Sequence, residues 1–218
     1  MKKYQGIIFD LDGTLLDTIE DLSDSMNYAL SSFGYPEHSC SAYKKIIGEG
    51  VHNLLKCSLP KDGHDSTVFA TILELFLKTY KENYMKKTKP YDGICEMLNS
   101  LSEMDIKIGV NSNKRTDYTN LLIRKYFADI SFIEIFGERE GIPKKPNPVA
   151  ALEIAGLMDL SPEQILYVGD TKTDIQTGRN ANMDTVGVLW GFRDFAELTT
   201  EGATYIIEKP NEILTKIL

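Results

Sequence analysis

The sequence predicts an α/β protein, a doubly wound parallel (Rossmann-like) sheet core with an inserted small α-helical domain. Short apolar runs each stop at a polar turn, as the buried strands of parallel sheets do. Helical patterns separate these runs, which is the order of a doubly wound sheet. One long stretch carries helical stripes and no strand-like run, which marks a separate helical domain.

The first run, Ile7-Ile8-Phe9, breaks at Asp10-Leu11-Asp12-Gly13-Thr14. Ile106–Val110 stops at Asn111-Ser112-Asn113-Lys114, Ile165–Val168 at Gly169-Asp170, and Thr185–Leu189 at Trp190-Gly191. Between them, Ile94, Met97, Leu98 and Leu101 keep the spacing of one helical face. Ser161-Pro162-Glu163-Gln164 carries the serine cap and first-position proline of a helix start. A strand over Ala203–Ile207 and a helix over Asn211–Ile217 end the core. From about residue 17 to 88 the grammar changes. Leu22, Met26, Ala29, Leu30 and Phe33 form one helical stripe, and Phe69, Ile72, Leu73, Phe76, Leu77 and Tyr80 form another. The expected domains are therefore residues 1–16 with 89–218 (α/β) and residues 17–88 (helical), with Lys86–Lys89 and Pro90 as the hinge.

Composition narrows the function classes. The 218 residues hold 24 basic and 32 acidic side chains, a formal charge of −8. That balance argues against nucleic-acid binding, which needs basic density to displace phosphate counterions. No apolar run approaches the roughly 18–20 residues of a membrane span. The stretch Ile7–Phe9 is too short for a signal-peptide core. Cys40, Cys57 and Cys95 form no CxxC pair and too few pairs for a disulfide framework, so a reducing, cytoplasmic setting is expected. Composition is silent on oligomeric state.

In an open parallel sheet, ligands bind beyond the carboxyl ends of the strands. Asp10 and Asp12 follow the first strand, Ser112 and Asn113 the second, Asp170 and Asp174 the third. A proline-stiffened loop, Gly141–Pro148, presents Lys144 and Lys145. Clustered carboxylates repel one another and need a cation, and hard oxygen donors suit Mg²⁺. Mg²⁺ completes its shell with waters and phosphate oxygens, while a lysine and neutral donors offset the remaining phosphate charge. One carboxylate could then attack phosphorus, and another, two residues on, could move the proton.

These residues also carry a resemblance. Asp10-Leu-Asp12-Gly13-Thr14-Leu15 resembles the first motif of the haloacid dehalogenase superfamily. Val110-Asn-Ser112-Asn113 resembles its second, Lys145-Pro-Asn-Pro148 its third, and Gly169-Asp170-x-x-x-Asp174 its fourth. The four occur in order, each beside an expected strand, and the helical insertion is similar to that superfamily's small cap. Asp17-Thr18-x-x-Asp21-Leu22, Phe33-Gly34-x-Pro36, Ile47-Gly48-Glu49-Gly50-Val51 and Gly187-Val-x-Trp190-Gly191 most resemble phosphoglycolate phosphatases.

The resemblance implies a Mg²⁺-dependent phosphomonoesterase acting through an aspartyl-phosphate on a small phosphorylated metabolite, 2-phosphoglycolate above all. It makes Asp10 the nucleophile and a metal ligand. Asp12 becomes the general acid and base, its main-chain carbonyl also on the metal. Ser112 and Asn113 hold phosphoryl oxygens, Lys145 neutralises charge, and Asp170 completes the metal site, with Thr14 and Asp174 in support. The Lys-Pro step favours Lys145, with Lys144 as the alternative. Pyrophosphatase, sugar-phosphate phosphatase and phosphosugar mutase are the enzyme alternatives, and a non-catalytic phosphate-binding protein is the alternative of another class.

Plainer readings stand beside these. Asp174 could be only a helix N-terminal charge. Gly48-Glu49-Gly50 is either a break between helices or a substrate-covering cap loop. His38, His52 and His64 read as packed or surface groups, Lys86, Lys87 and Lys89 as a solvated face, and Trp190, Phe192 and Phe195 as core or cap-facing packing.

Overall fold

The computed structural model describes residues 3–60 and 66–217. The chain divides into two compact units, residues 1–16 with 90–218 and residues 17–89. It begins with β1 (Gly6–Phe9) and the two-residue β2 (Leu16–Asp17). The helical unit follows with α1 (Ile19–Ser31), α2 (Cys40–Lys44), α3 (Val51–Ser58) and α4 (Ser66–Asn83), and the chain leaves it through β3 (Lys89–Pro90). Next come α5 (Ile94–Glu103), β4 (Lys107–Arg115), α6 (Thr116–Tyr126), β5 (Phe132–Glu138) and α7 (Val149–Leu157). The last elements are β6 (Ile165–Gly169), α8 (Lys172–Asn180), β7 (Asp184–Val188), α9 (Phe195–Thr200), β8 (Tyr205–Ile207) and α10 (Leu214–Ile217).

In the α/β unit, one six-stranded sheet runs in the order β5-β4-β1-β6-β7-β8, and every neighbouring pair is parallel. The chain moves outward from β1 through β4 to β5, then restarts on the other side with β6. That reversal puts the switch point at the carboxyl end of β1, where open α/β sheets bind ligands. Both faces of β1 and β6 are covered, so Gly6–Phe9 and Ile165–Gly169 are buried throughout and carry no charge. Beneath β1 and β6, Ile8, Ile165 and Tyr167 pack with Ala151, Ile154 and Ala155 of α7 in one buried cluster.

Some expectations are corrected. β4 does not stop at Val110; it continues to Arg115, its outer half held by β5, with a register shift between Asn111 and Arg115. β5 escapes the apolar-run criterion because Glu134, Gly137 and Glu138 interrupt it, as an edge strand tolerates. Ser161–Gln164 starts no α-helix. Pro162–Gln164 is a single 3₁₀ turn, with the Gln164 side chain accepting the Ser161 N–H at 3.0 Å, and β6 follows at once. Likewise Pro210–Ile213 is a 3₁₀ turn, and only Leu214–Ile217 is α-helical. Phe33 lies beyond the end of α1 and is exposed. Phe195 is exposed as well, whereas Phe192 is buried.

Within the helical unit, Leu22, Met26, Ala29 and Leu30 of α1 are buried, as are Leu54 and Leu55 of α3 and Ile72, Phe76 and Tyr80 of α4. The His38 ring bonds the Ser58 carbonyl at 2.8 Å and meets Tyr43 edge-on, and His52 lies against Phe69. His64 falls outside the described residues. Lys87 pairs with Asp24 at 2.8 Å and Glu20 at 3.4 Å in half-exposed contacts.

One carboxylate in this unit is buried and fully engaged. Asp21, near the start of α1, accepts the Lys87 N–H at 3.0 Å on both oxygens and the Thr88 N–H at 2.8 Å. It ties the first turn of the insertion to its last residues. Removing it strands two main-chain donors, so Asp21→Ala should cost about 2–4 kcal/mol of stability. Denaturant unfolding measures this, and a change within about 0.5 kcal/mol, the surface range, would contradict the tie.

Candidate active site

The register of the three central strands builds the site. Phe9 is level with Val110 on one side and Val168 on the other. Asp10 therefore stands beside Asn111 and Gly169, with Ser112 and Asp170 one step further along. The Asp10 N–H is held by the Val168 carbonyl at 2.9 Å. Leu11–Leu16 then turn tightly, the N–H groups of Leu15 and Leu16 both reaching the Leu11 carbonyl at 3.0 Å.

Lys145 joins the acids. Its Nζ lies 2.7 Å from Asp10 Oδ1 and 2.7 Å from Asp174 Oδ1, and all three groups are buried. Lys144, the alternative, instead pairs with Glu138 at 2.8 Å in a half-exposed contact. Asn113 fixes the Lys145 main chain, accepting its N–H at 2.9 Å and donating to its carbonyl at 3.3 Å. The Asn113 side chain thus faces lysine backbone. Ser112 is buried, and its Oγ accepts the Lys114 N–H at 3.2 Å.

Asp174 is engaged through both of its oxygens. One oxygen takes Lys145; the other accepts the Thr171 N–H at 3.0 Å and hydroxyl at 2.6 Å, a capping box at the start of α8. Asp170 is wholly buried and accepts the Thr14 hydroxyl at 3.2 Å and the Phe192 N–H at 2.8 Å. Glycines make room for it. Gly13 has φ +90°, and a Cβ there would sit 2.4 Å from Asp170 Oδ2; one on Gly191 would sit 2.4 Å from Asp170 Cβ. Trp190 donates to the Thr14 carbonyl at 2.9 Å and closes the same turn.

Two participants were missed in the sequence. Lys114 places Nζ 3.0 and 3.1 Å from the two oxygens of Asp12. The signal was present, because Lys114 directly follows Ser112-Asn113, but a lysine at a strand end reads equally as solvated. The Phe192 main-chain donor leaves no trace in residue type. Gly48, Glu49 and Gly50 belong to the helical unit and lie just before α3, both glycines at positive φ.

Burial and mutual charge shift Asp10, Asp170 and Lys145. Burial, then the Asp174 charge, raises Asp10 to about 7 against the pull of Lys145. Burial, Asp174 and Asp10 push Asp170 well above the usual carboxylate range. Burial alone would lower Lys145, but Asp10 and Asp174 outweigh it and keep the ammonium well above its ordinary value. Asp10, Asp170 and Asp174 each offer an oxygen within 4.8 Å of the others. A buried, all-oxygen set whose acids outnumber its lysine fits a hard divalent cation such as Mg²⁺.

The sign of the pH effect follows. Asp10 titrates near 3.8 when unfolded and near 7 in the folded cluster. Its proton stabilises the fold fully below about pH 4, and that contribution is lost as pH rises toward 7. A cation needs the ionised form. Mg²⁺ should therefore raise the melting temperature more at pH 8 than at pH 5, and Asp170→Asn should remove most of that rise. Thermal melts in EDTA and in Mg²⁺ measure it; equal Mg²⁺ shifts at both pH values would contradict the assignment.

The profile of the family described as "Haloacid dehalogenase-like hydrolase" matches residues 7–188. A phosphoglycolate phosphatase of Aquifex aeolicus (strain VF5) is 32% identical, over 95% of this chain and 94% of that one. One from Nitrosospira multiformis is 28% identical over 97% and 96%. A solved structure from Lactobacillus delbrueckii subsp. bulgaricus, provisionally described as a phosphoglycolate phosphatase, superposes with a TM-score of 0.92 at 31% identity and covers 99% of both chains. A likeness of this breadth, over a site whose four motifs converge in space, leads to one assignment: the chain belongs to the haloacid dehalogenase-like hydrolases, and it is one of their phosphatases.

Proposed function

We propose that the protein is a Mg²⁺-dependent phosphomonoesterase that works through an aspartyl-phosphate on Asp10, with 2-phosphoglycolate as its substrate. The observation that carries this is the salt-bridged pair Asp10–Lys145, at 2.7 Å, inside a buried group with Asp170 and Asp174. The names of the Aquifex and Nitrosospira relatives supply the substrate.

In this reading Asp10, Asp170 and the Asp12 main-chain carbonyl hold the metal. When bound, Mg²⁺ neutralises phosphoryl charge and fixes the phosphate for in-line attack. The Asp10 oxygen attacks phosphorus, and the ester oxygen leaves with a proton from Asp12. Ser112 donates its hydroxyl to a phosphoryl oxygen, and the main chain at Asn113 serves another. Lys145 balances charge on Asp10 and on the phosphoryl group, and Asp174 holds Lys145 in place. Asp12, now ionised, takes a proton from water as that water attacks the aspartyl-phosphate, and inorganic phosphate departs. Thr14 keeps Asp170 oriented. The helical unit serves as the cap, with Gly48-Glu49-Gly50 as its substrate loop, and it selects small leaving groups. A cytoplasmic location suits an enzyme whose Cys40, Cys57 and Cys95 are all unpaired thiols.

The test is a substrate panel with Mg²⁺ and with EDTA. We expect 2-phosphoglycolate to be hydrolysed with a higher kcat/KM than hexose phosphates, nucleotides or pyrophosphate, and EDTA to abolish turnover. Asp10→Asn should lose roughly 10⁴-fold or more in kcat, as expected for a covalent nucleophile. Preference for a hexose phosphate or pyrophosphate would overturn the substrate. Retention of a tenth of the activity by Asp10→Asn would overturn the mechanism.

A further inference from the structure

Lys114 is the second lysine facing the acids. It sits near the end of β4, its side chain is 6% exposed, and both oxygens of Asp12 are within 3.1 Å of its Nζ. A lysine at a strand end can usually carry its ammonium to water along a flexible stem. Desolvating it is costly, so a buried ammonium fixed on a carboxylate marks a defined geometry. The adjacent Asn113 clamps the Lys145 main chain. Successive residues of one strand therefore hold the two groups that flank Asp10, one through backbone and one through charge.

We infer that Lys114 is a positioning residue for the proton-transfer step: its ammonium grips both oxygens of Asp12 and fixes where that carboxyl meets the leaving oxygen. The inference rests on the role given to Asp12 under the proposed function. A proton donor must lie within hydrogen-bond reach of the atom it serves. A carboxylate two bonds from the backbone can swing between rotamers, and displacements near 1 Å can cost about 100-fold in rate. A two-point grip removes that freedom.

The inference is tested by leaving-group dependence, which a structural role would not move. The first-turnover release of the leaving group is compared for 2-phosphoglycolate, whose alkoxide needs a proton, and 2,4-dinitrophenyl phosphate, whose phenolate does not. Lys114→Met should slow the alkyl ester by about 30–100-fold and the dinitrophenyl ester by less than about 3-fold. Asp12→Asn should show the same selective loss, and adding Lys114→Met to it should cost nothing further. Where Lys114→Met melts at assay temperature, Lys114→Gln is read in the same way. Equal loss on both esters would place Lys114 on the phosphoryl group or in the fold and overturn the inference. So would no loss, or a loss that persists beside Asp12→Asn. The underlying reading fails separately, if Asp10→Asn still releases either leaving group at the wild-type rate.

Discussion

The bridge made by Lys145 is the interaction on which the rest of the site depends. One ammonium lies 2.7 Å from Asp10 and 2.7 Å from Asp174, all three groups buried. Without it, the buried carboxylates of Asp10, just after β1, and Asp174, in the first turn of α8, would lose their shared cation, a cost of several kcal/mol for each uncompensated buried charge. Its placement draws on three parts of the chain. The parallel register of β1, β4 and β6 sets the rim, Asn113 fixes the Lys145 main chain, and Asp174 is held by its own capping box at the start of α8. One carboxylate thus both caps α8 and holds Lys145.

The bridge compensates the buried acids only in part. Burial first, and then the Asp174 charge, make Asp10 and Asp170 resist ionisation, and Lys145 offsets this only in part at Asp10. Under the proposed function, a divalent cation would offset that repulsion and hold Asp10 as a carboxylate able to attack. Gly13 and Gly191 pack against Asp170, with no space for a side chain at either position. A phosphoryl group would suit the same electrostatics, since a bound cation and Lys145 could share its charge.

Much of this was legible in the sequence because the signals were local. The β1 and β6 strands are short, wholly apolar and buried on both faces, so the residues that end them, Asp10 and Asp170, stand out by contrast. Asp12 stands out after β1 and Asp174 after β6, whereas Ser112 and Asn113 mark the end of the run that is β4, and Lys145 lies in the proline-rich loop before α7. What the sequence hid depends on partners distant in the chain. β4 runs on to Arg115 only because β5 pairs with it, and β5 carries glutamates that mask its period. Ser161–Gln164 has the residues of a helix cap, yet β6 begins too soon for a helix to form. Lys114 and Asp21 were visible as charges, but their roles lie in an Asp12 side chain and in the Lys87 and Thr88 backbone, far along the chain.

The central claim is that Asp10, poised against Lys145, is the atom donor to phosphorus, and trapping the covalent intermediate tests it most directly. The Asp12→Asn protein, which keeps the nucleophile and lacks the group that activates water, is mixed with phosphate ester and Mg²⁺, quenched in acid, digested and mapped by mass spectrometry. The account predicts one phosphoryl group on the peptide containing Asp10, absent when Asp10 is also replaced by Asn. Phosphate on a different residue, or leaving-group release with no phosphoenzyme at any time point, would contradict it.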